Sequence, residues 1–250
     1  MFYQPGVTEH GLPYDPFKAC VVPRPIGWIG TRNDSSLASN SDDLASLDNL
    51  APYSQFTNVT FSPPTVMFSA NMKPSDGLSK DSARNAERTG EFTWSLATWD
   101  LREAVNSSAE QVAYGVDEFK LAGVTKEFGQ LVKAPMVKES PVKFECKYLT
   151  TLRIPGDGLM GSVDIIVGRV VGVHIDDSVL TNGKIDIAKT QPIARLGYYD
   201  YAVVRETFEM MIPGDPRVRA GLEGSAAKNE VMQAGVWSNE IVHSHTDSLN

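Results

Sequence analysis

Asn49-Leu50-Ala51-Pro52-Tyr53-Ser54-Gln55-Phe56 opens a stretch that continues through Ser62-Pro63-Pro64-Thr65-Val66-Met67-Phe68-Ser69 to Lys80-Asp81-Ser82-Ala83-Arg84-Asn85. Residues 53–60 and 65–70 are rich in aromatic and β-branched types, the composition of strands on a half-buried sheet. Phe61-Ser62-Pro63-Pro64 is the turn between them, because two prolines cannot sit in a central ladder. Ser79 or Asp81 is then a candidate N-cap for a helix that Gly90 ends. Two strand-like runs are thus followed by a helix start, whose unpaired N–H groups and dipole favour an anion. Lys80 adds a charge there and Ser82 a hydroxyl. Taken alone, the same pattern also describes an ordinary capped surface helix.

Upstream, Val21-Val22-Pro23-Arg24-Pro25-Ile26-Gly27-Trp28-Ile29-Gly30-Thr31 reads as a short β segment entered through two prolines. Gly27 and Gly30 remove side chains on either side of Trp28, which permits a bulge or the close approach of a flat ligand. Residues 1–19 show no periodicity and read as an arm, and residues 32–48 as a long polar loop. Downstream, residues 92–97 alternate as a strand. Residues 100–114 carry apolar positions at helical spacing behind a capping Asp100 and stop at Gly115, and residues 117–121 start a short helix. Residues 142–154 and 162–175 are long and rich in Val, Ile and Phe, and Pro155, Gly156, Asp157 and Gly158 join them as a hairpin. Asn182-Gly183 marks a tight turn, and residues 201–204 and 207–211 add short strands. Antiparallel strands with a few interspersed helices and no regular strand–helix alternation predict a mainly β protein, a closed or partly closed barrel with peripheral helices. Residues 213–250 read as an extended tail with one short helix near 226–233.

The composition bounds the function. With 250 residues, 42% of them hydrophobic, the chain can bury a substantial core. A formal charge of −8 argues against a nucleic-acid partner, which favours a basic face. No apolar run reaches the roughly 20 residues that span a bilayer, and no leader pattern opens the chain. The expectation is a cytoplasmic protein that binds neither membrane nor nucleic acid. Cys20 and Cys146 cannot form a disulfide framework and read as buried free thiols. His174, in an apolar strand, reads as a structural histidine. His243 and His245 have a metal-like spacing without a third ligand. Nucleotide-binding loops, nucleophile elbows and zinc-protease motifs do not occur.

Several further stretches follow one another in a set order: Pro23-Arg24-Pro25-Ile26-Gly27-Trp28, the three segments between Asn49 and Asn85, Thr89-Gly90-Glu91-Phe92, Asp117-Glu118-Phe119, Ala134-Pro135, Val167-Gly168-Arg169-Val170-Val171-Gly172-Val173-His174 and Pro192-Ile193-Ala194-Arg195-Leu196-Gly197. Together they resemble the flavin reductase-like, FMN-binding split-barrel family, which includes flavoredoxin and the reductase components of two-component monooxygenases. The resemblance implies an arm over 1–16, a split-barrel domain over 17–211 and a C-terminal extension over 212–250. It also implies a six-stranded antiparallel Greek-key FMN-binding split β-barrel, and a homodimer with FMN near the subunit interface. Carried onto this chain, Ala51, Pro52, Tyr53 and Ser54 would face the isoalloxazine, largely through backbone groups. Lys80, Asp81 and Ser82 would hold the phosphate, with Asn85 supporting the helix start. Trp28 and Thr31 would lie near the ring or ribityl chain.

The function implied is an oxidoreductase in which NAD(P)H reduces bound FMN, with FAD as the alternative flavin. The reduced flavin or its electrons would then serve a monooxygenase or another acceptor. The cofactor carries the redox chemistry and the protein supplies position and electrostatics, so no catalytic acid or base is expected. The alternative is a non-enzymatic flavin-binding or electron-carrier protein of the flavoredoxin type. Haem is disfavoured by the lack of a well-placed axial histidine or cysteine.

Overall fold

Residues 48–61 close the molecule's main sheet. The computed structural model describes residues 1–33, 48–158, 160–210 and 213. Met1–Thr207 form one compact unit and Phe208–Asn250 a second, and the described strands and helices all belong to the first. The predicted 226–233 helix, His243, His245 and all but the ends of the 32–48 loop lie outside the described residues.

In chain order the strands are β1 (Arg24–Pro25), β2 (Gly27–Arg32), β3 (Asp48–Tyr53), β4 (Phe56–Phe61), β5 (Pro64–Asn71), β6 (Glu91–Ser95), β7 (Lys126–Phe128), β8 (Pro135–Val137), β9 (Val142–Ile154), β10 (Val163–Ile175), β11 (Leu180–Thr181), β12 (Lys184–Ile185), β13 (Ile193–Gly197) and β14 (Asp200–Val203). The helices are α1 (Phe17–Cys20), α2 (Asp81–Thr89), α3 (Arg102–Ser107), α4 (Glu118–Leu121) and α5 (Ile187–Thr190). Seven strands form one antiparallel sheet in the order β3-β2-β6-β9-β10-β5-β4. Its two edges, β3 and β4, are separated in the chain only by Ser54 and Gln55. Residues 48–61 therefore act as a single bent strand joining both edges, so the sheet is a barrel. Counted that way it has the six strands expected. β1, β13 and β14 make a separate three-stranded sheet.

Period-two alternation fills the barrel. Val66, Phe68 and Ala70 of β5 point inward with Phe92, Trp94, Cys146 and Ile166. Phe68 meets Phe92 edge-on at 5.4 Å, and Trp94 stacks on Phe56. Strand β2 is buried on both faces. Ile29 joins this core, while Trp28 points the other way into a second cluster with Leu50, Val105, Phe119 and Ile193. Gly27 and Gly30 do permit close approach, but the approaching groups are protein. A Cβ at Gly27 would meet the Phe56 ring at 2.8 Å, and one at Gly30 would strike the Pro135 carbonyl.

Three expectations need correction. Residues 207–210 form no strand. The 100–114 helix is only Arg102–Ser107, with Leu101 rather than Asp100 at its cap. Cys20 is exposed, while Cys146 is buried as expected. The β9–β10 hairpin, the Asn182-Gly183 turn with both residues at positive φ, and Gly90 ending α2 at φ 72° all follow the sequence. His174 is structural: its Nε2 lies 2.8 Å from Glu145 Oε1.

Candidate functional site: a cleft between an edge strand and a helix start

Strand β3 makes one wall of a cleft of about 530 Å³, inside the roughly 300–1,000 Å³ range of small-molecule sites. Among the described strands β3 pairs with β2 alone, so its other edge offers backbone polar groups. Pro52 suits such an edge, where a missing N–H costs no ladder bond. The Leu50 amide donates to Glu118 Oε2 at 3.1 Å, and Ala51, Pro52, Tyr53, Ser54 and Gln55 line the cleft.

The start of α2 makes the facing wall. Lys80 holds the N-cap position with no side-chain cap, and the first helical bond runs from the Arg84 amide to the Lys80 carbonyl at 3.0 Å. The two expected caps are engaged elsewhere. Ser79 Oγ donates to Asp164 Oδ2 at 2.7 Å. Asp81 lies inside the first turn, where its carboxylate accepts from Lys73 Nζ at 2.7 Å and Arg84 Nη2 at 3.1 Å. First-turn amides without intrahelical partners are thus left uncapped by side chains beside Lys80, Asp81 and Ser82, which all line the cleft. Ser82 Oγ accepts from Asn49 Nδ2 at 2.8 Å and meets the Tyr53 hydroxyl, which stitches the two walls together. Burial, then the neighbouring Lys73, pulls the Lys80 ammonium below its ordinary pKa. A bound anion would reverse that.

The early end of α3 releases residues 108–113 to form a third side, where Gln111 Oε1 accepts from Lys80 Nζ. Glu118, also on the cleft, was missed as a site residue by sequence reasoning. It is 6% exposed, and burial pushes its carboxyl up to about 7, with Asp81 and Asp117 adding to the rise against the Leu50 amide. Its signal was the Asp117-Glu118-Phe119 run. Asp117 caps α4 through the Phe119 amide, and Glu118 and Phe119 are both buried.

Of the ten predicted residues, Ala51, Pro52, Tyr53, Ser54, Lys80, Asp81 and Ser82 meet in this one cleft. Trp28, Thr31 and Asn85 stand behind its walls. Trp28 is wholly buried, its indole donating to Ser108 Oγ at 2.9 Å, and Asn85 Nδ2 donates to Thr31 Oγ1 at 3.2 Å. Among the described residues no cluster of three or more His, Cys, Asp or Glu could hold a metal, and no helix is long and apolar enough to cross a membrane.

The family model described as the flavin reductase like domain matches residues 19–205. The chain belongs to the flavin reductase-like family. A Deinococcus radiodurans relative named only as an uncharacterized protein is 37% identical over 202 residues, 79% of this chain and 83% of its own. Among solved structures, nitrilotriacetate monooxygenase component B from Bacillus cereus is similar at a TM-score of 0.72 and 27% identity, over 84% of this chain and 98% of that one. Flavoredoxin of Desulfovibrio vulgaris shares the fold at a TM-score of 0.60 and 20% identity, over 84% of this chain and 97% of that one. The split barrel of the flavin reductase-like family is therefore the architecture in which this cleft is set.

Proposed function

We propose that the protein is an NAD(P)H-dependent flavin reductase that binds FMN in the cleft between β3 and α2. The observation that carries this reading is the uncapped start of α2, which opens beside Lys80 and Ser82 opposite a strand edge, in a chain of the flavin reductase-like family. The residues fit a planar ligand that carries a phosphate. First-turn amides, Lys80 and Ser82 suit the phosphate. Asp81 supplies its backbone, while its carboxylate holds Lys73 and Arg84 nearby. The β3 edge from Ala51 to Ser54 suits the polar rim of a flavin ring. Trp28, Thr31 and Asn85 hold the walls from behind.

Bound FMN would supply hydride acceptance and onward electron transfer. The protein's share is to place the ring, neutralise the phosphate and present the cleft's open side to the nicotinamide. The similarity to a monooxygenase component supports a partner that consumes reduced flavin. A homodimer belongs to the same reading, supported by apolar side chains exposed on β9 and β10, among them Leu152 and Val173. Light scattering should then give about twice the chain mass, and a monomer at micromolar concentration would remove the dimer.

The test is the visible spectrum after FMN titration, followed by anaerobic NADH or NADPH. Flavin bands that bleach promptly are expected. Bands that persist with both nicotinamides would leave a carrier in place of a reductase, and failure to take up FMN would refute the flavin reading itself.

A further inference from the structure

We propose that Glu118 is a proton-linked positioning residue of the cleft: its carboxyl group fixes the β3 wall through the Leu50 amide, and filling the cleft with an anionic ligand is coupled to its holding a proton. The proposal rests on the flavin reading for the ligand's identity, and otherwise on the burial of Glu118, its bond to the Leu50 amide and its place in the same cleft as Lys80 and Ser82, with its raised pKa in support.

Carboxylates surround this end of the molecule, and most are matched by cations. On β3, Asp48 pairs with Arg32 at 2.6 Å and Lys126 at 2.8 Å. On the approach to α4, Asp117 pairs with Lys126 of β7 at 2.7 Å and reaches Lys120 at 4.0 Å. At the start of α2, Asp81 is held by Lys73 and Arg84. Glu110 lines the cleft from the third side, and the Tyr53 phenol and Lys80 complete the titratable groups that face it. Glu118 differs from the buried acids of this set. It is nearly out of solvent, its carboxyl is met by backbone amides, and these ion pairs pass it by.

Its carboxyl already holds a proton up to about pH 7, because burial and the charges of Asp81 and Asp117 oppose ionisation. A phosphate arriving at the Lys80–Ser82 start of α2, in the same cleft, adds negative charge and desolvates the site further. Both effects favour the protonated form. Above neutral pH, ligand binding therefore takes one proton from solvent onto a Glu118 oxygen; no bond to the ligand forms and no electrons move. The other carboxyl oxygen keeps the Leu50 amide, so the β3 wall stays in place while the charge is removed.

The test compares the wild type with Glu118→Gln, which keeps an acceptor for Leu50 but carries no titrating proton. FMN and riboflavin affinities are measured by fluorescence between pH 6 and 9, with calorimetric titration at pH 8 in two buffers of different ionisation enthalpy. For the wild type, FMN affinity should fall with pH, towards about tenfold per unit above the Glu118 midpoint. Its binding heat should depend on the buffer, reporting proton uptake. Both signatures should shrink in Glu118→Gln, and subtracting that variant removes the titration of the FMN phosphate itself. Parallel pH profiles and equal proton uptake in the two proteins, with binding intact, would overturn the proposal alone. If neither protein takes up FMN or riboflavin, the flavin reading falls and the proposal falls with it.

Discussion

At the residue scale, Glu118 shows what strand and helix patterns leave out. The Asp117-Glu118-Phe119 run marks a helix start, but nothing in its spacing says that its carboxylate ends up 6% exposed against the backbone of β3. That depends on packing between segments 68 residues apart. Its raised pKa also makes a stability prediction. Between the ordinary 4.5 and about 7 the folded chain binds more protons than the unfolded one, so this group's contribution to stability falls as pH rises through that window and is level above it. Glu118→Gln should gain on the wild type over the same window, by at most about 3 kcal/mol. Thermal melts at pH 5 and pH 8 check this, and an unchanged gap between the two proteins would contradict it. Trp28 makes the complementary point. Its sequence neighbours Gly27 and Gly30 fit a ligand platform as well as they fit tight protein packing, and only the double-sided burial of β2 separates the two.

At the element scale, α2 was legible at its end and misread at its beginning. Gly90 stops it in the left-handed conformation, with its amide bonded to the Ala86 carbonyl at 3.0 Å. Gly90→Ala should therefore cost about 1–2 kcal/mol of stability from backbone strain alone, since no atom within 4 Å crowds an added methyl. Chemical denaturation measures that cost; a neutral result would mean the turn relaxes out of its left-handed state. The start was misread because Ser79 and Asp81 are good caps by type, yet each is engaged by other side chains, Ser79 by the distant Asp164 and Asp81 by Lys73 and by Arg84 of its own helix. The open first turn is the result. The shortened α3 has a similar cause. Apolar spacing continues past Ser107, but Ser108 instead accepts the Trp28 indole, and residues 108–113 line the cleft.

At the scale of the whole molecule, the barrel was readable because its long strands carry clear alternation and its turns carry proline, glycine or Asn-Gly. Its closure was not, because residues 48–61 read as separate pieces and only the pairing at both sheet edges shows them as one bent strand. That same strand brings Ala51, Pro52, Tyr53 and Ser54 opposite Lys80 and Ser82, so the closure of the fold and the formation of the cleft are one event. The proposed site of the FMN phosphate is the start of α2. It is tested most directly by the affinities of FMN and riboflavin for the wild type and Lys80→Ala, since only FMN carries the phosphate. Lys80→Ala is expected to weaken FMN by about 1.5–3 kcal/mol, the worth of a charge-assisted hydrogen bond, and to leave riboflavin nearly unchanged; an equal loss for both ligands would contradict this placement of the phosphate.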